Sequence, residues 1–363
     1  MKHFKGILLL VLCLTVLTAC GKNSGTNDNK EQGPTAAGSN DITATITVTP
    51  TVQAPKNTVT PEAAKEKIDI NIGALKGPTA IGMVQVMDLA DQGKTANHYN
   101  FTVSGTPDEI SAGLAKGDLD IAAVPSNLAA VLYNKTQGKI KLAGINTLGV
   151  LYIVETGDTI HSVEDLKGKT IYSSGFGATP QYTLNYLLNA YGIDPEKDVT
   201  IEYKTEHTEV AAVLSSSDNA IAMLPQPFVT TVMMSNDKAR IALDVADEWD
   251  KVSKDGSSVV TGVVVVRDEF LQNNKEAFDA FMDEYSASVD FVNSDVPEAS
   301  ALVEKYDIFK AAVAKKAIPD CNITLIRGED MKTKLSGYLT ALFNQNPESV
   351  GGKLPDDGFY YMQ

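Results

Sequence analysis

Gly117-Asp118-Leu119-Asp120-Ile121-Ala122-Ala123-Val124-Pro125-Ser126-Asn127-Leu128-Ala129-Ala130-Val131-Leu132-Tyr133 is the stretch from which the fold can be read. Residues 121–124 form a short apolar run between turn residues, which predicts a buried strand. Pro125-Ser126-Asn127 ends that strand and supplies capping residues for a helix over 127–133. The same texture continues in both directions. Strands are predicted at 68–74, 99–104, 121–124, 140–145, 151–155, 170–173, 199–203, 220–224, 241–244 and 259–266. Helices at 79–91, 107–116, 127–133, 179–191, 210–215 and 228–234 separate most of them. Such alternation implies an α/β fold with mostly parallel sheets flanked by helices. Beyond 267 the pattern turns helical, with Phe278, Phe281, Met282, Tyr285 and Val289 at three- and four-residue spacing, then helices at 308–317 and 330–344. A helical last third must pack on something already built. The economical arrangement has two lobes with a ligand cleft between them. Lobe 1 is discontinuous, 68–150 plus 260–363, and lobe 2 is 151–259, so the chain crosses twice and makes a hinge.

The N-terminus predicts a compartment. Lys2 and Lys5 precede an almost unbroken apolar run at 7–17, and Leu17-Thr18-Ala19-Cys20 follows at once. The run is too short for a helix that must cross about 30 Å of hydrocarbon, which reads as a signal peptide over 1–19. Cys20 is then the expected lipidation site. Residues 21–67 are rich in Asn, Thr, Gly, Pro, Gln and Lys and contain no aromatic residue. Thr43, Thr45, Thr47, Thr49 and Thr51 alternate like a strand, but Pro50, Pro55 and Pro61 argue for an extended tether. The expected location is the outer face of the cytoplasmic membrane or the periplasm, held through lipid on Cys20.

Composition removes several classes of function. With 31 Lys and Arg against 46 Asp and Glu, the formal charge is −15. No basic cluster reverses that average, so nucleic acid is not an expected partner. Once Cys13 leaves with the signal and Cys20 takes lipid, Cys321 is the remaining thiol, so no internal disulfide is expected. Its setting in Pro319-Asp320-Cys321-Asn322 reads as a buried small residue. There is no Gly-x-Ser-x-Gly turn and no Walker loop, and Gly175-Phe176-Gly177-Ala178-Thr179-Pro180 falls short of the dinucleotide fingerprint. His98, His161 and His207 are scattered in polar settings and read as surface or capping residues, not as a metal site. No metal, no cofactor and no catalytic residue is expected, and the protein is expected to act as a monomer.

In open α/β sheets ligands sit at the carboxyl ends of strands, beside helix N-termini. Four loops occupy that position here. The first supplies Lys76, Gly77, Pro78 and Thr79, and the second Pro125, Ser126 and Asn127. In lobe 2 the third supplies Ser174, Gly175, Phe176, Gly177, Ala178 and Thr179, and the fourth Gln226 and Pro227. Small residues let a ligand reach the backbone, while hydroxyl and amide groups donate hydrogen bonds. Lys76 adds a charge for an anion. Phe176 is placed to cover a planar ring, Tyr182 reads as core, and Trp249 is expected near the hinge without touching ligand.

The order of these loops resembles the nitrate/sulfonate/thiamine-pyrimidine branch of ABC-importer solute-binding proteins, which have the type II periplasmic-binding fold. The resemblance rests on Gly77-Pro78-Thr79, on Gly117-Asp118-Leu119-Asp120-Ile121-Ala122 ahead of Pro125-Ser126-Asn127, on Val163-Glu164-Asp165-Leu166-Lys167-Gly168-Lys169-Thr170-Ile171, and on Pro225-Gln226-Pro227-Phe228. It covers residues 68 to at least 266. It implies a receptor that closes on a small-molecule solute and docks on an ABC permease driven by its ATPase. Relatives often carry an acid where Gln226 stands, so a cationic or amine group is not favoured at that turn. Thiamine-pyrimidine-making enzymes share the superfamily, but their Cys-rich motif is absent here.

Two alternatives stay open. An envelope enzyme on this scaffold would need a base in the cleft, and Glu206 and Glu209 flank His207; acids at a solvated helix start account for that cluster. A ligand sensor for a membrane signalling protein is equally compatible with the chain. Nitrate, an alkanesulfonate or a flat pyrimidine would each suit the loops.

Overall fold

The computed structural model describes residues 66–362. The expected signal segment at 1–19, Cys20 and the tether as far as residue 65 lie outside the described residues. Four strands come first, β1 (Asp69–Leu75), β2 (His98–Ser104), β3 (Ile121–Pro125) and β4 (Ile140–Thr147). Between them run α1 (Pro78–Ile81), α2 (Val84–Asp91), α3 (Pro107–Lys116) and α4 (Ser126–Lys135). A second series follows, β5 (Leu151–Glu155), β6 (Thr170–Ser174), β7 (Thr200–Lys204), β8 (Ile221–Pro225) and β9 (Arg240–Asp244). Its helices are α5 (Thr179–Ala190), α6 (His207–Ser216), α7 (Phe228–Ser235) and α8 (Val245–Val252). The chain returns in β10 (Gly262–Arg267) and runs through α9 (Asp268–Asn273), α10 (Lys275–Ser294), α11 (Val296–Lys305) and α12 (Ala311–Ala317). It then adds β11 (Ile323–Ile326) and α13 (Gly328–Gln345).

The strands form two sheets, ordered β11-β4-β10-β3-β1-β2 and β7-β6-β8-β5-β9. The fold class is α/β as expected, but the sheets are mixed, which corrects the expectation of mostly parallel ones. Strand β1 is parallel to β2 and β3, and β6 to β7 and β8. Strand β10 runs antiparallel to β3 and β4, and β5 antiparallel to β8 and β9. The reason is geometric. β5 and β10 carry the chain into one sheet from the other, so each starts at the edge where its neighbours end and must run against them.

Each sheet is buried on both faces. On one face of the first sheet, Ile70, Ile72, Val264 and Val266 pack under α2 and α10 through Val86, Phe281 and Tyr285. On the other, Val124, Val263 and Val265 pack against α4 and α13 through Ala129, Leu335 and Tyr338. The second sheet is covered by α5 and α8 on one side and by α6 and α7 on the other. Fully burying a Val, Ile or Phe of this kind stabilises the fold by about 1.5–3 kcal/mol.

Two ion pairs fasten strand ends away from that core. Arg267 Nη2 lies 2.8 Å from Asp120 Oδ1, while Asp120 Oδ2 accepts from Asn71 N at 3.0 Å, tying β10, β3 and β1. In the second sheet Glu155 pairs with Arg240 and accepts from the backbone N–H of Thr159 and Ile160 at 3.0 Å each. Burial pushes the Glu155 carboxyl up, but these donors and the guanidinium outweigh it and leave the group below its ordinary value.

The helix expected over 79–91 is two helices, broken at Gly82. Ser288 Oγ of α10 donates to Gly82 O at 2.7 Å and takes a bond from Val86 N at 3.4 Å, so a side chain from a remote helix satisfies the backbone freed by the break. Strand β11 and helix α8 were not foreseen. The first is a four-residue edge strand inside a helical region, and the second is started by Asp244, whose side chain accepts from Ala246 N at 2.8 Å.

Candidate functional site

The carboxyl ends of β1, β3 and β4 and the start of β10 share one edge of the first sheet, since Gly262 lies opposite both Pro125 and Thr147. Three side chains converge on Gly262. A Cβ at that position would stand 2.6 Å from Asn146 Oδ1, 2.6 Å from Thr79 Cγ2 and 3.1 Å from Thr147 Oγ1, so only glycine lets them meet. Asn146 and Thr147 were missed by the sequence reading. The signal was present, because they directly follow a predicted strand and so stand at a strand end.

The predicted residues of the first two loops differ in their settings. Lys76 is exposed and its Nζ lies 3.0 Å from Asp307 Oδ2, so its charge is already engaged. Gly77 and Pro78 begin α1, with Gly77 O accepting from Ala80 N and Ile81 N. Thr79 is buried and its hydroxyl donates to Leu75 O at 2.9 Å. Pro125 precedes α4, and Ser126, fully buried, donates to Val260 O at 2.6 Å. Ser126 therefore fastens β3 to the segment entering β10. A bulky residue there would disturb packing before it touched any ligand.

In the second sheet Ser174 ends β6, and Gly175 at φ +75° turns the chain toward α5; a Cβ there would meet the Pro180 ring at 2.9 Å. Phe176 is 73 % exposed and sets its ring edge against Tyr203, 5.2 Å between centres. Gly177 N donates to Gln181 Oε1 at 2.7 Å, and Ala178 precedes α5. Gln226 is buried and its Oε1 accepts from Thr230 Oγ1 at 2.9 Å and Thr230 N at 3.2 Å, while Pro227 leads into α7. An open groove of about 570 Å³ beside the third loop takes in Phe176 and Gly177 of the predicted residues and runs along α5 to Gln345 and Asn346.

The two half-sites meet. Thr179 Oγ1 donates to Asn127 Oδ1 at 2.8 Å, and Asn127 Nδ2 donates to Ser349 O at 3.2 Å. One predicted residue from each sheet thus faces the other across the strand ends, and both are buried.

His207 departs from its expected place. It opens α6, its Nδ1 lies 2.5 Å from Ser174 Oγ, and its ring lies 5.2 Å from Phe228. Burial holds the imidazole down at about 4, with Glu206 pulling the other way, so it is neutral at ordinary pH. Sequence context did not reveal this because Ser174 and Phe228 are remote along the chain. Glu206 and Glu209 stay exposed, and Glu209 accepts from Thr205 N at 2.8 Å, as a helix start does. Among the described residues no group of metal-ligating side chains gathers, and no helix is long and apolar enough to cross a membrane.

Hydroxyls, carboxamides and one neutral imidazole are thus gathered at the facing strand ends of two mixed sheets. Residues 94–259 match the family model described as ABC transporter, phosphonate, periplasmic substrate-binding protein. Residues 94–259 thus resemble the substrate-binding proteins of ABC transporters. That family is one of solute-binding proteins rather than enzymes. A solved ABC transporter structure from Parabacteroides distasonis is 27 % identical, with a TM-score of 0.69 over 81 % of this chain and 99 % of that one. The periplasmic aliphatic sulphonate binding protein SsuA from Escherichia coli shares the fold, with a TM-score of 0.65, 14 % identity, and coverage of 81 % of this chain and 92 % of that one. The binding protein YtlA of Bacillus subtilis is 28 % identical over 125 residues, 33 % of this chain and 37 % of YtlA. The expected resemblance to ABC solute-binding proteins and the α/β fold class are thus borne out.

Proposed function

We propose that this protein is the lipid-anchored receptor of an ABC importer, closing two lobes on a small solute and passing it to the permease. Lobe 1 is 68–150 with 260–363 and lobe 2 is 151–259, and Cys20 carries the lipid. The reading rests on one observation above the others. Asn127 and Thr179, from different sheets, are joined at 2.8 Å across strand ends lined by Thr79, Thr147, Ser174 and Gln226. A ligand touching both sides at once would drive closure, because its differential contacts exist only in the closed form.

The charge of the lining narrows the solute. Lys76 is paired with Asp307, and His207 is held neutral by burial, so the donors in the cleft carry no net charge. Hydroxyls, amides and the N-termini of α4 and α5 suit a group with at most one negative charge. A sulfonate, nitrate or flat pyrimidine fits that description better than a dianion.

The test is a thermal-shift panel on the full chain with aliphatic sulfonates, nitrate, phosphonates, hydroxymethylpyrimidine, nucleobases and aromatic carboxylates. A ligand at a hundred times its Kd adds roughly 2.7 kcal/mol, a shift of about 2–4 °C or somewhat less at this size. One chemically coherent set of hits is the expected result. Silence across the panel, together with no small molecule released on denaturation, removes the receptor reading. Turnover of a hit by the pure protein would replace it with an enzyme.

A further inference from the structure

Helix α5 carries Gln181, Asn185 and Asn189 at four-residue spacing, which puts three carboxamides on one face over about 12 Å of helix. Two more, from Gln345 at the end of α13 and from Asn346 after it, join them in lining the open groove of about 570 Å³. Tyr182 fixes that second pair. Gln345 Nε2 donates to Tyr182 O at 2.8 Å, and Asn346 Nδ2 donates to Tyr182 Oη at 3.1 Å. The groove has the volume of an ordinary small-molecule site, and its polar lining is held in place before any ligand arrives.

The lining decides what the groove takes. Asn185 Oδ1 is shielded from solvent and accepts no hydrogen bond among the described residues. Rotation about χ2, which is soft in Asn, brings it to a donor in the groove. Phe176 is 73 % exposed, more than any other large apolar side chain among the described residues. Beside it no atom stands within 4 Å of a Cβ placed on Gly177, so ring and backbone are both open to a ligand. Asp194 and Glu196 also line the groove, and no Lys or Arg does. Lys197 Nζ lies 2.5 Å from Asp194 Oδ2, which leaves the exposed Glu196 to make the groove negative and unfit for an anion. Carboxamides donate and accept, as hydroxyl groups do. A ring that carries several hydroxyls matches them, and its C–H face suits the negative face of a phenyl ring.

We propose that this groove is a second binding site, for a short neutral saccharide, distinct from the site at the strand ends. The two share Phe176 and Gly177, and the carboxamides of the groove belong to it alone. Asn185 and Asn189 take sugar hydroxyls along the helix, Gln345 takes one from the other wall, and Phe176 covers a C–H face at the end. The length of the carboxamide row suits two linked rings. The strand-end site was argued to hold a group with at most one negative charge, whereas the carboxylates here turn such a group away. The groove therefore binds its sugar whatever solute the strand ends hold.

The test is saturation-transfer NMR on the full chain with cellobiose, N,N′-diacetylchitobiose and the diamine putrescine, each at millimolar concentration. Transfer to the ring protons of at least one disaccharide is expected, with putrescine silent. Asn185→Leu, Asn189→Ala and Phe176→Ala are each expected to weaken that disaccharide by about fivefold or more, the loss of one hydrogen bond or one stacked face. Asn189 and Phe176 are exposed, so their variants keep the fold, and melting curves check that they do. No transfer to either disaccharide overturns the proposal. Affinity unchanged in both Asn189→Ala and Phe176→Ala removes the sugar from this groove, and binding of putrescine without either disaccharide overturns the ligand class. Silence here leaves the receptor reading intact, and silence across the solute panel leaves this groove intact, so the two fail separately.

Discussion

His207 shows how a single side chain changes meaning between sequence and fold. Its neighbours Glu206, Thr208 and Glu209 are exposed, and sequence context placed it with them. In the structure its ring turns inward to Ser174 and Phe228. Burial puts its folded value at about 4, below the value of about 6.5 expected of the unfolded chain. Between those values the unfolded chain takes up a proton that the folded one refuses. Stability is therefore expected to fall as pH drops from about 6.5 toward 4 and to level off below, because both states are then protonated. In His207→Gln this component disappears, which Tm measured against pH will record. An unchanged slope would mean that the imidazole is not held neutral by its surroundings. Ser126 teaches the complementary lesson. Its place at a strand end was legible, but its acceptor, Val260 O, lies 134 residues away, and no local pattern points to it.

At the scale of elements, strand ends were more legible than helix interiors. Apolar runs bounded by Gly and Pro located β1, β3, β5 and β8 closely, because a strand buried on both faces has few ways to look in sequence. The α1–α2 break at Gly82 was invisible because it depends on Ser288 of α10, and β11 was missed because four residues give too short a pattern. The pairing of β5 with β9 carries its own prediction. Glu155 is almost fully buried and held by Arg240 and by the backbone N–H groups of Thr159 and Ile160. Removing the guanidinium in Arg240→Ala leaves a buried carboxylate short of its counter-charge. The expected cost is about 2–3 kcal/mol, below the usual 3–5 for a buried pair because Arg240 is partly exposed. Because the carboxyl is held below its ordinary value, the stability it contributes is present above the unfolded value of about 4.3 and fades as pH falls through the folded one. Denaturant melts at pH 7 and near pH 3 check both statements, and equal costs at the two values would refute the assignment.

For the molecule as a whole, the decisive feature is an apolar cluster that belongs to neither sheet alone. Trp249 was expected near the hinge, and it sits fully buried between Tyr186 and Tyr338. Its truncation in Trp249→Ala should cost about 3–5 kcal/mol. Phe309→Ala, where the Phe309 and Phe228 rings meet, should cost about 1 kcal/mol or less, since its half-exposed ring removes little area from water. Equilibrium unfolding in denaturant compares the two. Similar losses would mean that the two contacts join the sheets equally.

The sequence by itself determined the α/β class, the position of the four strand-end loops and the resemblance to ABC solute-binding proteins, because each depends on local periodicity, turn chemistry or contiguous motifs. Tertiary structure alone decided the rest. It set the direction of β5 and β10, which follows from the edge at which each strand starts. It also brought Thr79, Asn146 and Thr147 together on Gly262, turned His207 inward, and joined Asn127 to Thr179. Each of these depends on elements far apart in the chain that only the packing of the two sheets brings together, and no window of sequence contains that choice.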